Sequence, residues 1–366
     1  MLMERGYPIC NGCKYSSLHY CHKYNQECVS MFFAPKRVQI ACSKCFDENG
    51  YEVGESIYTI PRPEKIGYFH LPGIENFTTF KCIAKMKEYY PEAFYLNREI
   101  SEIYGAFPGA IWNGRTPNFN GTVLTIQQID QVRKNMEELG LTMNLTWNNH
   151  LVTGTDIYDR FCNNITEIFH NGKHAITVAS DELFKYLKEK YPNFKYYKSV
   201  ITTELDKTFL ENQDYDMLLM NRKLNNNWDE LLKIPEDKRS NIEFLCNDAC
   251  TPICNRMGHY NIANKCLLQR LDEGPFTNNY CTIDHDFMLY NVDKWPMTIT
   301  PDDIDEYVDN GYVHFKLCSR GDDTPVIAYK VARYLAKPQY VGDVFCWALG
   351  RNEPEERLKN DDAVIK

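Results

Sequence analysis

The sequence predicts an α/β protein: a TIM-like (β/α)8 barrel behind an N-terminal cysteine-rich head that binds metal. Three observations carry this reading. Short, nearly continuous apolar runs alternate with amphipathic stretches at a roughly 30-residue repeat, the pattern of parallel strands covered on both faces by crossover helices. Eight such β units follow one another, mostly with a helix behind each. Eleven of the fifteen cysteines crowd at the N-terminus and again after the seventh run.

Taken in order, residues 1–60 are the head, 61–345 the barrel and 346–366 a C-terminal tail. Past Pro61 and Pro63 comes a first strand at 66–71 and a helix at 78–90. A second strand is expected at 109–112. The helix at 126–139 follows, with Ile126, Ile129, Val132, Met136 and Leu139 close to helical spacing. Strand 141–145 and helix 156–169, strand 174–178 and helix 181–191, and strand 196–201 make the next units. Strand 217–220 with helix 228–234, strand 241–245, and strand 312–317 with helix 324–335 complete the count. An open doubly wound sheet is the alternative, but no glycine-rich phosphate loop follows any strand, which weakens a dinucleotide-binding reading. The longest interruption, 254–301, falls between the seventh and eighth strands, and a loop of that length inside a compact domain is usually functional.

Composition narrows the class. A net charge of −9 argues against sequence-independent nucleic-acid binding, which needs a basic surface. No apolar run reaches the roughly 18 residues of a membrane span, and the start has no export-signal pattern. Fifteen cysteines in such a chain point to a reducing, cytoplasmic compartment and to thiols or metal ligands rather than disulfides.

The head carries Cys10, Cys13, Cys21, Cys28, Cys42 and Cys45, with His19 and His22 between them. Two Cys-x2-Cys pairs are zinc-ribbon knuckles, although the 28 residues separating them exceed the usual spacer of about 15 to 20. Cys10, Cys13, Cys21 and Cys28 form the alternative four-sulfur set, holding zinc or a second iron–sulfur cluster. After the seventh strand, Cys246, Cys250 and Cys254 are spaced x3 and x3, and Cys266 and Cys281 follow. Thiolates at that density suit zinc or an iron–sulfur cluster. Buried structural thiols are the plainer reading, but Asp, Pro, Asn and Arg lie among these cysteines.

Barrel active sites gather where strands end. There the sequence puts Asn113 and Arg115, then Asn144, Trp147, Asn148 and Asn149, then Arg222, then Asn247 and Asp248, and last Cys318 and Arg320. Arg115, Arg222 and Arg320 are the natural holders of an anionic group, since guanidinium meets carboxylate or phosphate with two parallel hydrogen bonds. The amides serve equally well as caps and turns. His259 is open to three roles: cluster ligand, acid–base group or packed ring. No Gly-x-Ser-x-Gly or His-Glu-x-x-His is present.

Two motifs carry a resemblance. Asn247-Asp248-x-Cys250-x3-Cys254-x4-His259-Tyr260 resembles the seventh-strand cysteine segment of peptidase family U-32, the collagenase-like peptidases. Gly311-x3-Phe315-Lys316-Leu317-x-Ser319-Arg320 resembles that family's later Gly-x-x-x-(Phe/Leu)-Lys-Ile-Glu-Gly-Arg strand, and Leu71-Pro72-Gly73-x-Glu75 echoes its opening Pro-Ala-Gly-x-x-Glu. In order and spacing these cover roughly residues 65–340. Cys318 and Ser319 stand where the family has Glu and Gly, and the family's Glu-x-Phe-x-His-Gly strand is missing. The resemblance implies a TIM-like barrel and a [4Fe–4S] cluster, as in members that carry out oxygen-independent hydroxylation of ubiquinone precursors or of RNA. Cys250 and Cys254 match best as ligands, Cys281 looks like a further one, and Cys266 is the nearest candidate for the fourth, with Cys246 its competitor. The expected partners are a small aromatic, quinone-type or RNA substrate and an electron donor or partner subunit. A collagenase-like protease and a non-catalytic zinc-binding module are the alternatives. A radical S-adenosylmethionine enzyme fits poorly, because its cysteines are spaced x3 and x2 and follow the first strand.

Overall fold

The computed structural model describes residues 63–114, 123–201, 214–248, 256–270, 293, 295–318 and 323–349, together with three two-residue strands in the head. Those strands, Ser16–Ser17, Tyr20–Cys21 and Gln26–Glu27, pair antiparallel in sequence order. The other residues of the head, and every sulfur of its six cysteines, lie outside the described residues.

The chain divides into two compact units. One comprises Met1–Glu64, Thr78–Leu96 and Ala336–Lys366. Within it Phe94 bridges Ala336, Lys337 N–H donates to Ala93 O at 2.9 Å, and Tyr90 meets Trp347 edge to face at 5.7 Å.

The other unit, Lys65–Phe77 and Asn97–Leu335, is a closed barrel of eight parallel strands. They are β1 (Gly67–Pro72), β2 (Arg98–Gly105), β3 (Thr142–Trp147), β4 (Ala175–Val178), β5 (Lys195–Lys198), β6 (Met217–Leu219), β7 (Ile242–Leu245) and β8 (His314–Lys316), each hydrogen-bonded to the next, with β8 closing on β1. The barrel predicted from the repeat is therefore present. Parallel strands need crossovers, and among the described residues six of the connections carry helix: α1 (Phe77–Tyr89), α2 (Ile126–Glu138), α3 (Arg160–Phe169), α4 (Asp181–Lys190), α5 (Trp228–Leu231) with α6 (Glu236–Arg239), and α7 (Arg256–Leu268) with α8 (Ile304–Asp309); α9 (Thr324–Leu335) follows β8. Local chemistry starts several of them. Thr125 and Gln128 form a capping box at α2, Asp159 accepts from Cys162 N–H at α3, and Ser180 accepts from Leu183 N–H at α4.

One strand expectation fails. Residues 109–112 form turns, and the second strand is β2, which ends at Gly105, before the expected segment begins. Arg98, Glu99 and Glu102 interrupt its apolar pattern. Its register against β1 also shifts between Phe69 and His70, which pair with Ile100 and Glu102 and leave Ser101 as the extra residue. A bulge of this kind reverses the in–out alternation beyond it, and here that turns Glu102 and Tyr104 toward the interior. Trp112, expected in the strand, is instead buried outside it with Nε1–H donating to Asp156 O at 2.8 Å.

Outward-facing strand residues build the apolar layer under the helices. Phe69 stacks on Phe315 and meets Tyr334 of α9, and Phe244 packs against Tyr307 and Tyr312. No helix among the described residues is long and apolar enough to cross a membrane.

Candidate active site

Inside the barrel the pattern inverts. One sector is apolar, with Ala175, Tyr197, Met217 and Leu219 in one buried cluster. Opposite it β1, β2, β7 and β8 turn His70, Glu102, Glu243 and Lys316 inward, and all four are buried. Moving unpaired charges into a barrel core costs several kcal/mol each, so such groups persist only when they neutralise and hydrogen-bond one another. These do. His70 Nδ1–H donates to Glu243 Oε1 and lies 3.4 Å from Glu102 Oε2. Lys316 Nζ stands 3.7 Å from Glu243 Oε2 and 3.9 Å from the centroid of the Tyr104 ring. Tyr197 OH donates to Glu102 Oε1 at 2.5 Å, and Asn144 Nδ2 donates to Glu102 Oε2 at 3.1 Å. Thr177 Oγ1–H continues the chain to Asn144 Oδ1 at 2.8 Å.

The protonation states follow from these contacts. Burial pulls the His70 imidazole down, but the Glu102 and Glu243 carboxylates outweigh it and hold the ring above its ordinary value. Burial pushes Glu243 up, yet Lys316 and His70 outweigh that and keep it below the usual carboxylate range. His314 goes the other way. Burial, reinforced by the positive charge of His70, lowers it to about 3, so its neutral Nδ1 accepts from His70 Nε2–H across 3.3 Å. Burial and the Glu102 charge hold the Tyr197 phenol well above its ordinary value, as a hydrogen-bond donor. The interior thus sets two basic side chains, His70 and Lys316, against two carboxylates, Glu102 and Glu243, at ion-pair distances.

Around the strand ends most of the expected amides are engaged in structure. Asn113 Oδ1 accepts from Thr146 Oγ1–H, and Asn148 Oδ1 accepts from Gly114 N–H. Asn149 Nδ2 donates to Ile111 O and to Asn264 O, while its Oδ1 accepts from Leu151 N–H. Asn221 caps a short turn at Arg222–Leu224. Asn247 and Cys318 exchange hydrogen bonds, Nδ2–H to O at 3.1 Å and N–H to Oδ1 at 2.6 Å, tying the ends of β7 and β8. Arg222 is buried with Nη1 3.4 Å from Asp248 Oδ2, so its charge is met by the chain's own carboxylate.

Helix α7 lies over these strand ends. Tyr260 packs with Ala179 and Ile201, just past β4 and β5, and Met257 joins them. His150, beyond β3, meets Asn261 at 2.7 Å and Asn264 at 2.8 Å. On this helix His259 is half-buried with its ring 6.3 Å from that of Tyr260, and Cys266 is buried. Cys246 faces elsewhere. Its thiol contacts Phe244 O at 3.8 Å in the outer layer, and burial pushes it well up. Arg115, Arg320, Cys250, Cys254 and Cys281 lie outside the described residues, as do Cys10, Cys13, Cys28, Cys42 and Cys45 of the head, while Cys21 is described only as the end of the strand Tyr20–Cys21. Among the described residues no group of three or more His, Cys, Asp or Glu side chains is arranged to hold a metal ion.

Sequence reasoning concentrated on the residues leaving the strands and passed over those within them. The signal was present as single charges at inward positions of apolar runs: His70 in Tyr-Phe-His-Leu-Pro, Glu243 in Ile-Glu-Phe-Leu and Lys316 in His-Phe-Lys.

No family model and no curated protein matches this chain. Among solved structures it is similar to the U32 peptidase Mk0906, with 12% sequence identity and a TM-score of 0.43 over 73% of this chain and 99% of that one. The barrel described above rests on its own strand pairing.

Proposed function

We propose that this chain is a barrel enzyme whose active site lies at the C-terminal ends of the strands and works with a [4Fe–4S] cluster. The reaction is oxygen-independent hydroxylation, or a related modification, of an RNA or a small aromatic or quinone-type substrate. The ligands are Cys250, Cys254, Cys281 and Cys266, the four soft donors such a cluster takes. One observation carries the reading: the chain leaves β7 at Asp248 and re-enters at α7, which is fastened over the ends of β3, β4 and β5. Cys250 and Cys254 fall in the short stretch between those two anchors, and Cys266 is carried by the helix itself.

When bound, the cluster supplies one-electron chemistry. The chain's own residues supply the charged barrel interior and the hydrogen-bonded strand ends. Arg320 and Arg115 are the anion-holding side chains in this reading, with Arg222 serving as the partner of Asp248. A buried set of charges is a poor way to stabilise a core, and its persistence supports an enzyme over a non-catalytic module.

Anaerobic purification with a visible spectrum and iron, sulfide and zinc counts tests the proposal. A brown protein with about four irons per chain, lost in Cys250→Ser and in Cys266→Ser but kept in Cys246→Ser, is the expected result. A colourless protein carrying zinc alone overturns it.

A further inference from the structure

Within the interior network one atom stands out. Glu243 is wholly buried, and its Oε1 takes the His70 Nδ1–H, yet its Oε2 has no hydrogen-bond donor among the described residues. Lys316 Nζ at 3.7 Å balances its charge but stands beyond hydrogen-bond reach. A buried carboxylate oxygen without a donor is unfavourable, so the position selects a group that brings one.

The two charges define what that group is. It must donate to Oε2 and, lying beside an ammonium, present a lone pair to Nζ. A carboxylate or phosphate has the lone pairs but is repelled by Glu243. An amine has the proton but is repelled by Lys316. Ethers and ketones accept and do not donate. A hydroxyl does both, whether of water or of an organic molecule that displaces it. Its approach is set by the fold: Lys316 is the last residue of β8, in register with Leu245 at the end of β7 where barrel substrates enter, and Glu243, in register with His314, lies two residues deeper along β7 and meets it from below. Tyr104, whose OH is held by Leu317 O at 2.7 Å, walls the Lys316 side with its ring. Behind Glu243, His70 is fixed between Glu243 and His314 and orients the carboxylate.

We propose that Glu243 Oε2 and Lys316 Nζ together form a binding site for the hydroxyl group of an organic substrate. Glu243 accepts the hydroxyl proton in a hydrogen bond, Lys316 donates to the hydroxyl oxygen, and His70 is a positioning residue. The inference rests on the strand ends being the active site and not on the cluster.

The test is calorimetric titration of the purified full-length chain with benzyl alcohol and with benzyl methyl ether, which keeps the ring and the oxygen but has no proton to give. Hydrogen bonds to charged groups lead us to expect the alcohol to bind about tenfold or more tightly than the ether. Glu243→Gln should reduce that preference to about threefold or less, since the acceptor loses its charge. Lys316→Met, which keeps the length of the side chain, should reduce it too, and the wild-type comparison stands by itself if either variant fails to fold. Equal binding of alcohol and ether, no binding of either, or a preference unchanged in both variants overturns the proposal. Iron counted on the same sample separates the outcomes: selective alcohol binding by a protein without iron leaves this site in place and removes only the cluster.

Discussion

At the scale of single residues, the buried charges make predictions whose signs follow from their neighbours. His314 titrates near 3 in the fold and near 6.5 when unfolded. As pH falls from about 6.5 to 3, the unfolded chain takes up a proton that the packed ring refuses, so stability drops across that window at up to about 1.4 kcal/mol per pH unit. His314→Asn, which keeps an acceptor for His70, should flatten that limb in urea titrations followed at several pH values. An equal slope in variant and wild type would count against a neutral buried His314. His70 acts at the other end. Its raised value contributes stability that is complete below about pH 6.5 and is lost as pH rises through the folded value.

The Glu243–Lys316 pair should behave as a unit. Removing Lys316 alone, as Lys316→Met, leaves a charge imbalance in the core and should cost about 3–5 kcal/mol. The double variant Glu243→Gln with Lys316→Met should cost less than the sum of the two single ones by 1 kcal/mol or more, on the order of contact couplings in double-mutant cycles. Additive losses would show that the two side chains do not sense each other.

At the scale of elements, the loop after β2 and helix α7 are held by close backbone approach. A Cβ on Gly114 would lie 2.2 Å from Asn148 O, a contact with backbone that cannot yield by side-chain rotation. Gly114→Ala should therefore destabilise by about 1–3 kcal/mol, as overpacking does, measurable as a lowered urea midpoint; an unchanged midpoint would mean that the strand ends give way freely. Asn149 is the other fastener. It spans Ile111 O and Asn264 O, and Asn149→Ala should raise amide exchange across Arg256–Leu268 while leaving β3 and β4 protected. Exchange rising equally in the strands would mark Asn149 as a general stabiliser and not as the anchor of α7.

At the scale of the whole barrel, the prediction is that charge and fold are separable. Eight strands hydrogen-bonded in a ring and an apolar outer layer hold the fold, so substitutions that neutralise the interior as a set need not abolish it. A chain carrying Glu102→Gln, Glu243→Gln, His70→Gln and Lys316→Met together should retain the far-ultraviolet circular dichroism of the wild type. Its loss would give the charge network a role in specifying the barrel.

The strand count, the parallel sheet and the long β7–β8 connection were legible in the sequence, because crossover topology forces a repeating alternation of apolar runs and amphipathic helices. Helix α9 was legible to the residue, Thr324–Leu335, from its spacing alone. β2 was not, since a bulge and an inward carboxylate break the apolar pattern by which strands are recognised. Nor was the interior site. His70, Glu102, Glu243 and Lys316 are separated by up to some 246 positions in the chain, with His70–Glu243 alone spanning 173. What brings them together is barrel closure, in which β7 and β8 come to lie beside β1 and β2. The amide-rich strand ends show the same division: the sequence determined which residues gather there, and only the tertiary structure decided that most of their hydrogen bonds are spent on the backbone, which supplies the donors and acceptors that chain closure brings within reach.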